Sequence, residues 1–302
     1  MLKHLTKMSD LTKQDIISIL DLADSMKAAQ KKGNPHQPLK GKTLAMIFQK
    51  ASTRTRVSFE TGMYQLGGQA LFLSASDLQM GRGEPIEDTA RVLGRYVDGI
   101  MIRTFAQQDV EELAKWSGIP VINGLTDYDH PCQILADLMT IREHKGKLEG
   151  LKLCYVGDGN NVCNSLVVGS LTVGMKVSVA VPKGHEPHED VLAFAKAYGD
   201  AFELVEDPAQ AAKGADVLVT DVWASMGQEC EAAARMKVFA DYQINKGLLA
   251  IANAGAIVLH CLPAHRGEEI TADVFESHAN VIFDEAENRL HAQKAVMAIL
   301  ME

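Results

Sequence analysis

The chain has 302 residues, and its 30 lysines and arginines against 39 aspartates and glutamates give a formal net charge of −9. This length predicts two domains at about 150 residues each, and a composition that is 47% hydrophobic and 23% charged is typical of a globular, ordered protein. The acidic balance argues against a general nucleic-acid binder, which needs a basic face to displace counterions from phosphates, but it permits a small local anion site.

The first half of the chain alternates amphipathic segments with short apolar runs. Thr12 and Asp15 resemble a helix N-terminus, and the apolar residues that follow at helical spacing predict a first helix, which is broken at Gly33. The predicted strands are 43–48, 70–73, 99–103 and 120–122. The predicted helices that follow them are 52–66, 85–96, 107–116 and 131–144.

The second half repeats this rhythm after a polar stretch at 144–147. Its predicted strands are 151–156, 176–181, 216–220, 256–260 and 281–283. Its predicted helices are 161–173, 188–198, 229–240 and 285–300. Because apolar strands that alternate with helices indicate parallel sheets covered on both faces, we predict an α/β fold of two doubly wound parallel-sheet domains joined by helices.

Polar residues concentrate directly after the predicted strands. In folds of this class, ligands bind beyond the carboxyl ends of the strands, so these positions are the candidates for a site. The segments are 50–56, 74–83, Arg103, 123–133, 157–161, 221–227 and 260–267.

Residues 52–56 (STRTR) form a run of hydrogen-bond donors between a predicted strand and a predicted helix. A helix N-terminus presents unpaired N–H groups and the positive end of its dipole, and arginine forks suit phosphate oxygens. A capped helix with two solvent-facing arginines is the plainer alternative. We favour an anion site, with Arg54, Arg56 and Arg103 lining a small cationic crevice.

Two segments match nucleotide-binding motifs only in part. Gly41-Lys42-Thr43 resembles the end of a phosphate-binding loop, but His36 stands where that motif needs Gly, and the segment precedes its strand. Gly157 and Gly159 follow a strand, yet Val162 replaces the third Gly of the dinucleotide fingerprint. Dinucleotide binding is therefore disfavoured.

The segment His130-Pro131-Cys132-Gln133 opens a predicted helix. His130 could donate a hydrogen bond to a carbonyl oxygen, and Gln133 could recognise an amide. Viewed alone, the segment fits a polar helix cap equally well.

The second half offers a carboxylate and a thiol at neighbouring strand ends. Asp221 could bind an ammonium group, and Cys261 could handle a proton, although a single cysteine after a strand is more often an inert packed residue. His260 and His265 are not accompanied by acids at zinc-motif spacing, so no metal site is predicted.

The odd number of cysteines and the absence of any C-x-x-C pair indicate free thiols in a reducing compartment. They are Cys132, Cys154, Cys163, Cys230 and Cys261. The first residues lack the pattern of a secretory signal, and no apolar run approaches the about 18 residues of a membrane span. We expect a cytoplasmic protein without membrane or nucleic-acid partners.

Six segments carry a family resemblance, in the chain order FQKASTRTRVSFE, LSASDLQMGRGE, HPCQ, GDGNN, DVWASMG and HCLPAHRGEE. Together they resemble the transcarbamoylase family over essentially the whole chain. STRTR with HPCQ is typical of its carbamoyl-phosphate half, and DVWASMG with HCLP is typical of its ornithine branch. Gln49 stands where the family usually has Glu, and we expect it to tune the adjacent loop without abolishing activity.

The resemblance implies the residues of two substrate sites. Those for carbamoyl phosphate are Ser52, Thr53, Arg54, Thr55, Arg103, His130, Pro131, Cys132 and Gln133, with Gln79 reaching it from a neighbouring subunit. Those for ornithine are Asn161, Asp221, Ser225 and Met226. Those near the reacting carbamoyl group are Cys261, Leu262 and Arg289. The residues with expected catalytic roles are Arg103, His130, Asp221 and Cys261.

The resemblance also implies the domain organisation and the assembly. A carbamoyl-phosphate domain of residues 1–145 would include the C-terminal helix, 286–302, packed back against it. Residues 146–285 would form the ornithine domain, and the two would close on the substrates. The family's active unit is a homotrimer, with sites at subunit interfaces.

The implied reaction is transfer of the carbamoyl group of carbamoyl phosphate to the side-chain amine of L-ornithine, giving L-citrulline and phosphate in arginine biosynthesis. It requires no cofactor and no metal. A transcarbamoylase for aspartate, putrescine or acetylated ornithine is the nearest alternative. A non-catalytic sensor of phosphorylated metabolites would not need His130, Gln133 or Cys261, and the broken glycine pattern disfavours a Rossmann oxidoreductase.

Overall fold

The structure is a computed structural model that describes residues 2–34, 36–224 and 231–302. The chain divides into two compact units, one formed by residues up to Met139 with Asn288–Glu302 and the other by Thr140–Glu287. Both boundaries lie inside helices, so each of these two helices contributes residues to both units. Among the helices in the described ranges, none is long and apolar enough to cross a membrane.

The first unit is built on a parallel sheet. Its strands are β1 (Thr43–Phe48), β2 (Gln69–Ser74), β3 (Gly99–Arg103) and β4 (Val121–Leu125). They are ordered β2-β1-β3-β4. The two central strands are almost fully buried because their residues are nearly all apolar, whereas the edge strand β2 is half exposed. The register pairs Phe48 with Arg103, so β1 and β3 end side by side.

The helices of the first unit are α1 (Lys13–Lys31), α2 (Thr53–Gln65), α3 (Ile86–Leu93), α4 (Gln107–Trp116) and the larger part of α5 (Pro131–Lys145). A capping box begins α1, because the Thr12 hydroxyl accepts from the Asp15 N–H at 3.2 Å and the Asp15 carboxylate accepts from the Thr12 N–H at 3.0 Å. This confirms the helix start that the sequence predicts. A short 3₁₀ turn, Gln79–Arg82, precedes α3.

The second unit is also built on a parallel sheet. Its strands are β5 (Lys152–Val156), β6 (Lys176–Ala180), β7 (Phe202–Val205), β8 (Val217–Thr220) and β9 (Ile257–His260). They are ordered β7-β6-β5-β8-β9. The register pairs Thr220 with His260, which makes the residues that follow β8 and β9 neighbours.

The helices of the second unit connect these strands. They are α6 (Asn161–Thr172), α7 (Glu189–Lys196), α8 (Pro208–Ala212), α9 (Ala232–Val238), α10 (Lys246–Ile251) and α11 (Ala272–Ser277). The last helix, α12 (Ala279–Met301), begins in this unit and ends in the first one. The predicted fold class, two α/β domains on parallel sheets with a C-terminal helix, is confirmed.

The predicted strand at 281–283 is wrong, because these residues lie in the first turns of α12. Val281 and Ile282 are buried while Phe283 is 56% exposed, which is the pattern of one face of a helix. A three-residue apolar run cannot be distinguished from such a face by periodicity. The fifth strand of the second unit's sheet is instead β7, which the sequence did not predict. It lies at the edge of the sheet beside β6.

Candidate functional site

The N-terminus of α2 lies just beyond the carboxyl end of β1. Ser52 caps it, since its Oγ accepts from the Thr55 N–H at 3.2 Å and lies 3.1 Å from the Thr55 hydroxyl. Thr53 is exposed, and Arg54 is half-buried in the first turn. The first N–H groups of a helix have no intrahelical acceptors, so this end can bind an anion.

Arg56 does not belong with Arg54 at this end of the helix. Its Nε is paired with Glu60 at 3.0 Å, and its guanidinium lies 3.7 Å from the centre of the Phe72 ring. Residues two positions apart on a helix point about 200° apart, so Arg54 and Arg56 face different surroundings. Arg56 is therefore not part of the predicted cationic crevice, for which Arg54 and Arg103 remain the candidates.

Arg289, on α12, is held by neutral oxygen atoms of the first unit. It donates to Gln133 Oε1 at 2.8 Å and to Thr55 Oγ1 at 3.3 Å. The Gln293 amide, with its oxygen facing the guanidinium, accepts from Nη2 and Nε at 3.0 and 3.1 Å. These bonds fix the orientation of the guanidinium.

His130 is surrounded by positive charge. It is buried at the start of α5, and its burial, together with the charges of Arg289, Arg103 and Arg54, lowers the pKa of His130 well below its ordinary value. The imidazole is therefore neutral at pH 7, when it carries one N–H donor. A neutral donor among three arginines suits a polarised carbonyl oxygen.

The depressed pKa of His130 predicts a loss of stability in mild acid. Above about pH 6.5 the side chain is neutral in both states, but below it the unfolded chain takes up a proton that the folded chain refuses. In the unchanged protein, this proton lowers the free energy of unfolding by up to about 1.4 kcal/mol per pH unit between about pH 6.5 and 5.5. His130→Asn should remove this part of the decrease. Urea unfolding across this range measures it, and parallel curves for both proteins would contradict the prediction.

The remaining predicted residues of the first unit occupy different surroundings. Pro131 is the first residue of α5, and Gln79 is exposed in the 3₁₀ turn. The Cys132 thiol donates to the Asn123 carbonyl at 3.3 Å, and burial raises the pKa of Cys132 to about 12. Cys132 thus remains a packed thiol and does not provide a thiolate.

Gln49, the departure from the family pattern, contacts the end of β3. Its Oε1 lies 2.8 Å from the Thr104 hydroxyl, which also lies 2.6 Å from Asp109 Oδ2. A hydroxyl has one proton to donate, so a glutamate at position 49 would place a second carboxylate against the same hydroxyl. The Gln49 oxygen that accepts from this hydroxyl belongs to a neutral amide, so it avoids a like-charge contact with Asp109.

In the second unit, Asp221 and Cys261 lie together because β8 and β9 end side by side. The Cys261 thiol donates to Asp221 Oδ1 at 3.0 Å. Asn160, the N-cap of α6, donates to Asp221 Oδ2 at 2.7 Å, and the Val222 N–H donates to Oδ1 at 2.8 Å. The carboxylate is 5% exposed and is therefore held in one orientation by three donors.

The other predicted residues of this unit are only partly described. Asn161, in the first turn of α6, accepts from the Val162 N–H at 3.0 Å, and its neighbour Asn160 donates to Asp221. Ser225 and Met226 lie outside the described residues.

Leu262 has a left-handed backbone conformation. Its φ is 61°, which costs a non-glycine residue about 1–3 kcal/mol. Its N–H donates to His260 Nδ1 at 2.9 Å, and His260 Nε2 lies 2.9 Å from Glu269 Oε1. This chain of hydrogen bonds holds the strained residue next to Cys261.

Two residues that the sequence analysis did not predict support the Asp221 segment. Arg235, on α9, donates to the Asp158 carboxylate and to the Trp223 carbonyl oxygen. Burial raises the pKa of Asp158, and the positive charge of Arg235 opposes this effect. The GDGNN segment could have indicated Asp158, but nothing in the local sequence distinguishes Arg235 from a surface residue of a helix.

Among the described residues of the second unit, two groups of side chains have the atoms to hold a metal ion. In each group, the ligand atoms lie within 4.8 Å of one another; the groups are Asp221, His260 and Cys261, and His265, Glu268 and Glu269. The sequence predicted no such set, because this spacing matches no zinc motif. Both nitrogens of His260 already make hydrogen bonds, and His265 pairs with Glu268 at 3.5 Å, so we assign no metal to either group.

Comparison with known proteins places both units in one family. Residues 3–143 match the family model described as the aspartate/ornithine carbamoyltransferase carbamoyl-P binding domain. Residues 149–300 match the model described as the Asp/Orn binding domain. The chain therefore belongs to the aspartate/ornithine carbamoyltransferase family, which confirms the resemblance found in the sequence.

Its relatives match over nearly their full length. An ornithine carbamoyltransferase of Carboxydothermus hydrogenoformans is 60% identical over 298 residues, which cover 97% of this chain and 96% of the relative. An anabolic ornithine carbamoyltransferase of Pyrococcus furiosus is 56% identical over 303 residues, which cover 99% of this chain and 96% of the relative. A solved structure of a Pyrococcus furiosus ornithine carbamoyltransferase has a TM-score of 0.95 at 56% identity and covers 99% of this chain and 97% of that one.

Proposed function

We propose that the protein transfers the carbamoyl group of carbamoyl phosphate to the side-chain amine of L-ornithine, giving L-citrulline and phosphate. The observation that carries this choice of acceptor is the Asp221 carboxylate, held by Asn160, Val222 and Cys261 at the end of β8. A fixed carboxylate attracts an ammonium group and would repel the extra carboxylate of an aspartate acceptor. The full-length similarity to ornithine carbamoyltransferases supports the same conclusion.

The first unit would bind the phosphate substrate and polarise it. The α2 N-terminus and Arg54 would hold the phosphate dianion, since both provide N–H donors and positive charge. Arg103 and the neutral His130 would donate to the carbonyl oxygen, where negative charge develops as the amine attacks. Thr55 is a further donor for this oxygen and is already positioned by Arg289.

The second unit would deliver the amine. The side chain of free ornithine has a lysine-like pKa of about 10, so at neutral pH it must lose a proton before its nitrogen has a lone pair to attack with. Asp221 and Cys261 would orient the amine, and the Asp221 carboxylate would accept this proton. The nitrogen then bonds to the carbamoyl carbon, the bond from that carbon to the phosphate oxygen breaks, and phosphate leaves with the electron pair. The nitrogen loses its second proton in this step, and the leaving phosphate can accept it.

The deciding experiment is a citrulline assay with carbamoyl phosphate and L-ornithine, run beside aspartate, putrescine and N-acetylornithine. We expect citrulline from ornithine and little product from the other amines. Added inorganic phosphate should inhibit competitively against carbamoyl phosphate, because it occupies the same anion site. Preferential carbamoylation of any other amine would overturn the proposed acceptor.

Cys261→Ala is expected to lower kcat/KM for ornithine about 10-fold. This is less than the about 10²- to 10⁴-fold range for loss of the group that itself transfers the proton, because Asp221 remains in place. Asp221 keeps the donors Asn160 and Val222, so the carboxylate itself should stay oriented. Steady-state kinetics with ornithine varied measures the effect. Cys154→Ala, which removes a buried thiol from the middle of β5, is the matched control, and an equal loss in both variants would remove Cys261 from the mechanism.

We further propose a cytoplasmic homotrimer that acts in arginine biosynthesis. The exposed apolar residues Val57 of α2 and Leu71 and Phe72 of β2 support a surface that another copy covers. Free cysteines at 132, 154, 163 and 261 support a reducing compartment. The anabolic designation of the Pyrococcus furiosus relative supports the biosynthetic direction. Light scattering should give three times the chain mass.

A further inference from the structure

Gln133 is held at both ends of its side-chain amide. It lies in the first turn of α5, is almost fully buried, and its Nε2 donates to Oδ1 of Asp137 at 2.8 Å. Its Oε1 accepts from Nη1 of Arg289 at 2.8 Å. Gln133 and Asp137 are four residues apart and share one face of the helix. The amide is therefore clamped between a carboxylate and a guanidinium.

This clamp determines which end of the amide faces the anion site. An ionised carboxylate only accepts hydrogen bonds, so it requires the amino end of Gln133. A guanidinium only donates, so Arg289 requires the oxygen. Rotating the amide by half a turn would put oxygen against oxygen and N–H against N–H, and buried polar groups left without partners are costly. Gln133 consequently presents a fixed acceptor on the side of Arg289.

We propose that Asp137 is a positioning residue that makes the first unit prefer an acyl phosphate with an NH₂ group, an inference that rests on the proposed function. An amide oxygen can accept two hydrogen bonds, so Gln133 Oε1 can take a carbamoyl N–H in addition to that of Arg289. A methyl group in the same position offers no donor. Sites built around such a hydrogen bond discriminate strongly against the analogue that lacks it.

The test uses two phosphonates, phosphonoacetamide and acetonylphosphonate, which differ only in carrying NH₂ or CH₃. Calorimetry gives their dissociation constants for the full chain, for Asp137→Asn, for Gln133→Met and for the double variant. We expect the unchanged protein to bind the amide about 10- to 100-fold more tightly than the ketone. Asp137→Asn should reduce this ratio to about 3-fold or less, because a neutral amide at position 137 is a weaker acceptor than a carboxylate and can itself rotate, so that Gln133 is held firmly only at its Arg289 end.

The double variant separates positioning from a general structural role. Gln133→Met alone should abolish the preference for phosphonoacetamide over acetonylphosphonate. Adding Asp137→Asn should cause no further loss of preference, because both changes act through one hydrogen bond. Retention of the ratio in Asp137→Asn, with both ligands weakened alike, would overturn the proposal. Retention of the preference in Gln133→Met would overturn the proposal as well. This variant therefore keeps the test decisive if Asp137→Asn does not fold. Binding of neither phosphonate by the unchanged protein would overturn the proposed function together with this inference.

Discussion

Arg54→Ala is expected to weaken the binding of carbamoyl phosphate about 30- to 1000-fold, equivalent to about 2–4 kcal/mol. Arg54 is half-buried at the α2 N-terminus, and its charge is close enough to lower the pKa of His130. A guanidinium there would make charge-assisted hydrogen bonds to phosphate oxygens that alanine cannot replace. The KM for carbamoyl phosphate and the inhibition constant of inorganic phosphate measure the loss.

Arg56→Ala is the matched control for this prediction. It removes the same side chain two positions further along α2, where the guanidinium is paired with Glu60 and packs on Phe72. An exposed pair of this kind contributes at most about 1 kcal/mol to stability. We expect little change in the affinity for carbamoyl phosphate. Equal losses in the two variants would contradict the assignment of the anion site to one side of the helix.

The alternation of strands and helices was predictable because buried parallel strands are short apolar runs, as in β1 and β3. The edge strand β7 was not, because it is short and only half-buried and therefore lacks that signal. The apolar run at 281–283 was predicted as a strand, but it forms part of α12. Periodicity identifies elements that are buried on one or both faces, and it fails where burial is partial or the run is shorter than one helical turn.

The candidate site was predictable where its residues are close in sequence or follow adjacent strands. Asp221 and Cys261 were expected to be near each other because parallel strands end at one edge of a sheet, and the register of β8 and β9 brings them into contact. The contact of Arg289 with Thr55 joins residues 234 positions apart, and only the fold determines it. Asp137 did have a local signal, since it follows Gln133 by one helical turn.

The net charge of −9 gives no indication of the charges inside the first unit. Arg103 and Arg289 are buried near His130, and the burial of that imidazole, together with the charges of these arginines, lowers its pKa. Positive charge concentrated in this region would attract the phosphate dianion of the proposed substrate. A local cluster of this kind is compatible with an overall charge that is acidic.

Asp221→Asn is expected to lower kcat/KM for ornithine about 10²- to 10⁴-fold, the range for loss of a group that transfers a proton in the transition state. The substitution preserves shape, and an asparagine oxygen can still accept from Asn160 or Val222. It removes the negative charge that attracts the ornithine ammonium and the basic oxygen that takes its proton. The effect should therefore fall on ornithine, while the KM for carbamoyl phosphate stays within about 3-fold, because that site is built from separate residues.

Asp216→Asn is the control for this second prediction, because Asp216 directly precedes β8 and Asp221 directly follows it. Asp216 accepts from the Lys152 N–H at 2.9 Å and from Asn253 at 2.8 Å, so it performs a structural role at the opposite end of the same strand. Its substitution should reduce stability without a selective effect on ornithine. If Asp221→Asn lowered stability and both substrate affinities in the same way as Asp216→Asn, the carboxylate at position 221 would be a structural group. A selective loss of ornithine turnover, with the thermal midpoint unchanged, would instead place that carboxylate at the acceptor amine.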